Sequence, residues 1–380
     1  MAAVDTAAPA PVALRQVPYV NLPAQFAEER LVLMPAIEGV FARGDFIGGA
    51  AIGQFELAFA DYVGVKHAIG MNSGTDALMV GMAALGIGPG DEVITPPNSF
   101  VASTAAIVRI GAKPVFADVL PDQNIDPAAV ERAVTSRTRA IMPVHLTGRV
   151  ADMDRINAIA KANDLWVIED AAQAVGSTLH GQKSGAFGTI GCFSAHPLKN
   201  MNAAGDAGIL VTNDDDVAAR VRLMINHGLL DRETVTLFGT VSRLDTLQAA
   251  ILSKRLERLP SVIDRRRNNA ALYRELLAGT PVFIPACRQA EFNTFHTFVV
   301  QTDRRDELRD YLAACGVMTA IHYPVPIHLQ PAARSLGHEA GDFPVTEQQA
   351  KGILSLPIHQ FLSEDDIRHV CAAIRSFYGQ

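Results

Sequence analysis

Leu165-Trp166-Val167-Ile168-Glu169-Asp170-Ala171-Ala172-Gln173 is an apolar run that ends in two carboxylates and then turns to small residues. An apolar run of this length, without polar alternation, reads as a strand buried on both faces, and such strands belong to parallel sheets covered by helices. Ligands of these sheets gather at the carboxyl ends of the strands. Asp170 therefore stands at the ligand-bearing edge. There it can hold a protonated ring nitrogen or cap a helix opening at Ala171.

Working outward, residues 65–212 alternate short apolar runs with segments of helical period. Strands are expected at 67–71, 92–95, 114–117, 140–144, 165–169 and 209–212, and helices at 76–85, 100–109, 127–134, 152–162 and 214–226. This is an α/β fold whose large domain has a mostly parallel central sheet covered by helices. A long polar helix over 243–277 should link it to a smaller C-terminal α+β domain. That domain holds a strand at 295–301, a helix at 305–315, a loop rich in proline and histidine, and a closing helix at 365–377. The division expected is a flexible tail over 1–20, a large domain over 21–255 and a small domain over 256–380.

At 380 residues the chain exceeds one ordinary domain, and 49% hydrophobic with 19% charged residues is a globular composition. Cys192, Cys287, Cys315 and Cys371 are scattered and form no CxxC pair, which fits reduced thiols in the cytoplasm. The opening MAAVDTAAPAPVALRQ has an early Asp5, several prolines and no apolar stretch of signal-peptide type, so it reads as a loose tail. No run is long enough for a membrane span. A net charge of -7 argues against a nucleic-acid footprint. Arg265, Arg266 and Arg267 form the densest basic run and read as a solvated helix face following Glu257 and Asp264.

Two further motifs carry chemistry. In Asn72-Ser73-Gly74-Thr75-Asp76 a strand enters a helix through small residues, leaving backbone N–H groups for an anion, although Ser73 or Thr75 can equally serve as a simple cap. In Gly191-Cys192-Phe193-Ser194-Ala195-His196-Pro197-Leu198-Lys199-Asn200 a lysine lies on an irregular loop beside Ala204-Gly205-Asp206-Ala207-Gly208. A lysine whose pKa is depressed by its surroundings can attack a carbonyl, whereas an ordinary surface lysine cannot.

From about Val20 to its end the chain resembles the DegT/DnrJ/EryC1/StrS family of sugar aminotransferases, a branch of fold type I pyridoxal-phosphate enzymes. The marks, in order, are SGTDAL, PNSFVAS, HLTGRVADMD, EDAAQA, FSAHPLKN, GDAGILVTND, NHG, SRLDTLQAAIL and HYPVPIHLQPA. The resemblance implies that Lys199 carries pyridoxal 5'-phosphate and shuttles the proton. It implies that Asp170 pairs with the pyridinium, that Gln173 lies near the phenolic oxygen and that Phe100 stacks on the ring. Ser73, Gly74, Thr75 and Ser194 become the phosphate cradle. The implied reaction is ping-pong in a homodimer, with L-glutamate as amino donor and a keto sugar as acceptor. His322 and Tyr323 are candidate sugar contacts. One departure stands at Phe238-Gly239-Thr240-Val241-Ser242-Arg243, where the family usually reads G-x-N-S-R and its Asn reaches the neighbouring subunit's phosphate. Val241 cannot hydrogen-bond, so Asn226, Ser242 and Arg243 are the candidates for the neighbour's contribution.

Gly86-Ile87-Gly88-Pro89-Gly90 precedes a strand and contains a proline where a helix should open, so it is a turn and not a dinucleotide loop. His322, His328 and His338 lie in a Pro-interrupted loop without helical ligand spacing, and no metal is expected. A non-catalytic pyridoxal-phosphate-binding regulator remains a rival class. A nicotinamide oxidoreductase lacks its Gly-rich loop. HYPVPIHLQPA resembles members that aminate carbon 3 of nucleotide-linked keto sugars, with 4-keto nucleotide sugars, an 8-keto octulosonate and cyclitol ketones as alternatives.

Overall fold

The computed structural model describes residues 15–380. Its strands are β1 (His67–Met71), β2 (Glu92–Thr95), β3 (Lys113–Phe116), β4 (Thr138–Ile141), β5 (Trp166–Asp170), β6 (Thr178–Leu179), β7 (Gln182–Lys183), β8 (Ile190–Ser194), β9 (Gly208–Thr212), β10 (Glu291–Phe292), β11 (Phe298–Gln301) and β12 (Ile353–Leu356). Its α-helices are α1 (Leu22–Arg43), α2 (Ala50–Val63), α3 (Gly74–Ala84), α4 (Val101–Arg109), α5 (Pro127–Ala133), α6 (Met153–Ala162), α7 (Asp215–Met224), α8 (Thr246–Leu276), α9 (Arg305–Ala314), α10 (Pro344–Gly352) and α11 (Glu364–Phe377).

Seven strands form the main sheet in the order β1-β9-β8-β5-β4-β2-β3. Strands β8 through β3 in that order run parallel, while β9 is antiparallel to both β1 and β8. Helices close both faces, which is why these strands are apolar without alternation. On one face Leu78, Ile107 and Val221 from α3, α4 and α7 meet Ile69, Met142 and Leu210. On the other, Phe59 of α2 and Leu252 of α8 pack on Phe193 and Val211, and Ile156 of α6 packs near Ile141.

Helix α8 joins two cores. Leu252, Leu256, Leu259 and Ile263 enter the core of the sheet, whereas Ala270, Tyr273 and Leu277 enter a second core built around β11, β12, α9 and α11. Steps of three and four residues keep all of them on one stripe of the helix.

Some expectations need correction. Residues 1–14 of the expected flexible tail lie outside the described residues. Of residues 15–20, also assigned to that tail, Val17 enters the second core. Val17 is wholly buried and exchanges backbone hydrogen bonds with Gly316 and Met318 at 2.9 and 3.0 Å. The alternative reading of Asp170 as the cap of a helix opening at Ala171 fails, since two turns follow it. Strand β8 lies in a stretch read as irregular, because Gly191 looks like a strand breaker; a Cβ there would come within 2.4 Å of the Gly185 Cα, so the close approach of two backbones excludes a side chain. Helices α1 and α2 were not anticipated. Leu31, Phe41 and Leu57 are exposed on them, which blurs the single apolar face that marks a helix in sequence. Gly86 to Gly90 form the expected turn, closed by a hydrogen bond from Gly88 N–H to Asp91 Oδ2 at 3.0 Å. Among the described residues no helix is long and apolar enough to cross a membrane.

Candidate active site

The end of β5 is fixed from both faces of the sheet. Glu169, fully buried, accepts backbone N–H groups from Gly185, Phe187 and Gly188 at 2.6–2.7 Å. His145 completes its shell: Nδ1 accepts from Ala151 N–H at 3.1 Å, so the proton on Nε2 donates to Glu169 across 2.8 Å. Strand alternation then turns Asp170 to the opposite face. Its Oδ2 accepts from the Ser103 hydroxyl at 2.7 Å and its Oδ1 from Ala172 N–H at 3.2 Å.

Lys199 follows β8 on a loop made rigid by backbone bonds from Ala195 to Ala207 and from Lys199 to His196, each 2.8 Å. Its side chain is partly open to a cavity, yet it lies deep among protein atoms. Desolvation lowers the amine to about 8, against the opposing pull of Asp170. A lysine in this state is partly uncharged near neutral pH and able to act as a nucleophile.

Where β1 enters α3, Ser73 caps the helix by accepting from Asp76 N–H at 3.1 Å, and Ala77 N–H is taken by the Ser73 carbonyl. The amides of Gly74 and Thr75 thus remain as orphan donors of the first turn, at the positive end of the helix dipole. Strands β8 and β9 press against this turn. A Cβ on Gly74 would sit 2.8 Å from Ser194 Cβ, and one on Gly208 would sit 2.2 Å from the Ser73 carbonyl. Both glycines are therefore required by the packing.

Phe100 precedes α4, half-exposed, with its ring 5.7 Å from that of Tyr323. Gln173 accepts from Thr147 N–H at 2.8 Å and is hydrogen-bonded to the Tyr323 phenol, whose pKa is pushed up by burial. His322 Nδ1 lies 2.9 Å from the Ser355 hydroxyl; burial, and then the charge of Lys199, lowers it to about 4, so the ring is neutral at neutral pH.

Every cofactor and substrate residue expected from the sequence lines one cavity of about 360 Å³. The three expected for the neighbouring subunit do not. Ser242 is wholly buried and its hydroxyl donates to Asn72 of its own chain at 3.1 Å, so it is removed from any cross-subunit contact. Asn226 and Arg243 are part-exposed and bonded to one another at 3.1 Å. His328 and His338 face Glu347 and Asp342, away from the cavity.

Sequence reading missed Ser103, Tyr19, His296 and Arg266 in this cavity. The solvated basic face expected at 265–267 is overturned. Arg265 pairs with Glu28, Arg267 donates to the Asn293 carbonyl and stacks on Phe292, and Arg266 is buried. The spacing held a signal: Leu259, Ile263, Arg266, Ala270 and Tyr273 repeat every three or four residues, which places Arg266 inside the apolar stripe.

A nucleophilic lysine, a carboxylate at the strand end and a pair of orphan amides on a glycine-tight turn form a donor set that matches an aldehyde, a basic ring nitrogen and a phosphate. Pyridoxal phosphate carries all three. The profile of the DegT/DnrJ/EryC1/StrS aminotransferase family matches residues 29–375. A pleiotropic regulatory protein of Geobacillus stearothermophilus is 42% identical over 95% of this chain and 98% of its own. The dTDP-3-amino-3,4,6-trideoxy-alpha-D-glucose transaminase of Streptomyces venezuelae is 42% identical over 95% of this chain and 96% of its own. The solved structure of S. venezuelae DesV in complex with a ketimine intermediate superposes with a TM-score of 0.94, at 41% identity, over 96% of this chain and 99% of that one. The chain thus belongs to the DegT/DnrJ/EryC1/StrS aminotransferase family, and it is a pyridoxal-phosphate-dependent aminotransferase.

Proposed function

We propose that the protein moves an amino group from L-glutamate to carbon 3 of a nucleotide-linked keto sugar. The observation that carries this reading is the single cavity that brings the Lys199 amine, the Asp170 carboxylate and the polar rings of His322 and Tyr323 together. The name of the S. venezuelae relative, a transaminase of a dTDP-linked 3-amino sugar, supports both the substrate class and the carbon.

When bound, pyridoxal phosphate supplies the electron sink that lets nitrogen pass between two carbonyl carbons. Lys199 would hold it through its aldehyde, and the Nζ, once released by the incoming amine, would take and return the proton on the carbon that exchanges nitrogen. Asp170, oriented by Ser103 and Ala172, would hold the ring nitrogen protonated. Gly74, Thr75 and Ser194 would hold the phosphate, and Phe100 and Gln173 would hold the ring. His322 and Tyr323 meet the sugar hydroxyls. Both substrates use the cavity in turn. A panel of keto sugars incubated with L-glutamate and read by mass spectrometry tests the proposal: a nucleotide-linked 3-keto sugar should gain an amino group fastest, and preferential amination of a 4-keto sugar or a cyclitol ketone would reject the assigned carbon.

The working unit in this reading is a homodimer. Leu31, Phe41, Leu57, Leu230 and Phe238 are large apolar side chains left exposed on one chain, and Phe238 is fully so. Asn226 and Arg243 lie beside this surface in sequence and are the remaining candidates for a contribution to the partner's site.

A further inference from the structure

One positive charge in the cavity is left over by these roles. Arg266 is 7% exposed and lines the cavity from the buried stripe of α8. Its Nη1 donates to the carbonyls of Phe295 and His296, both at 3.2 Å, while Nε has no partner among the described residues. Burial lowers the guanidinium only to about 10, so it stays charged, and among the described residues no carboxylate forms an ion pair with it.

The phenol of Tyr19 and the rings of His296 and His359, which share its electrostatics, are neutral at neutral pH. Burial pushes the Tyr19 phenol up to about 12. Burial also holds His296 well below the usual histidine range and His359 at about 4, and the charge of Arg266 adds to both shifts. Asp366, which acts on His359, is tied to Arg15 at 2.5 Å. A buried cation without a counter-ion is costly, and a ligand that brings the missing negative charge relieves that cost.

We propose that Arg266 is the anchor for a carboxylate of the amino donor. A guanidinium fork matches the two oxygens of a carboxylate, and bonds of this kind are the strong, charge-assisted ones. Arg266, His296 and Lys199 line the same cavity, and Arg266 Nη1 donates to the His296 carbonyl at 3.2 Å, so an amino donor that enters to reach Lys199 meets the guanidinium in the same space. The inference rests on the amino-donor half of the proposed reaction.

The test is single-turnover absorbance of the cofactor band in wild-type holoenzyme and in Arg266→Gln, with L-glutamate and with a simple alkylamine, followed by the return reaction with the keto sugar. The variant should lose about 10- to 100-fold with glutamate, and change little with the alkylamine or the keto sugar. Equal losses with glutamate and the alkylamine would make Arg266 a structural residue and overturn the assignment. A loss confined to the keto sugar would transfer the anion site to the acceptor and overturn it equally. Should Arg266→Gln fail to hold the cofactor, Arg266→Lys serves, with a smaller loss expected for glutamate and still none for the alkylamine. If no amino acid bleaches the wild-type band, the donor reading itself fails, which is distinguishable from an unaffected variant.

Discussion

At the scale of single residues, Asp170 and Lys199 divide the work between charge and nucleophile. Asp170→Asn keeps the shape and the bond from Ser103 but removes the negative charge, so amino transfer should fall roughly 100- to 1000-fold, while the cofactor band remains in the purified variant. Near-normal steady-state rates would take Asp170 out of this role. Lys199 gives a pH signature. Its amine titrates near 8 in the folded protein, against an ordinary value of 10.5. The neutral form that captures the aldehyde therefore grows as pH rises through 8. Rates of apo-protein reconstitution should climb through that pH and level off about one unit above it; a rate still climbing past pH 10 would mean that the amine is not desolvated. These residues were legible because each stood in a motif. Arg266 and Ser103 were not: an arginine in a basic run reads as solvent-facing until the periodicity of the whole helix is counted, and a serine inside PNSFVAS carries no sign of the carboxylate it meets across the sheet.

At the scale of elements, the strands of the parallel sheet were readable because burial on both faces demands apolar runs. Strand β8 was not, since the close packing of Gly191 on Gly185 is a tertiary fact that looks like a loop in sequence. The loop bearing His322 and Tyr323 connects the two cores at the cavity: His322 is tied to Ser355 on β12, and Tyr323 faces Phe100 at the start of α4. Its prolines limit its freedom, so its polar rings are held over the cavity at little ordering cost. His322→Ala and Tyr323→Phe should each cost about 1–3 kcal/mol in the keto-sugar half-reaction, roughly tenfold to a hundredfold, and leave glutamate-driven bleaching nearly intact. Equal losses in both half-reactions, measured by stopped-flow absorbance, would make the loop a support and place the sugar contacts elsewhere.

For the whole molecule, the exposed apolar side chains of α1, α2 and residues 229–241 ask for a cover. A two-fold dimer would supply one with a single self-complementary surface. Sedimentation at assay concentration should give a dimer, and Phe238→Asp should shift it toward monomer with weaker cofactor retention; an active wild-type monomer would remove the partner from the site. What a second chain would bring to the cavity was not legible, because Val241 stands where the family motif places its asparagine and Ser242 is already bound to Asn72. The cavity's own chemistry still rests on one covalent position. Borohydride reduction of the holoenzyme followed by peptide mass mapping tests it most directly. The pyridoxyl mass should fall on Lys199 and on no other lysine; Lys199 unmodified while another lysine carries the label would contradict the assignment.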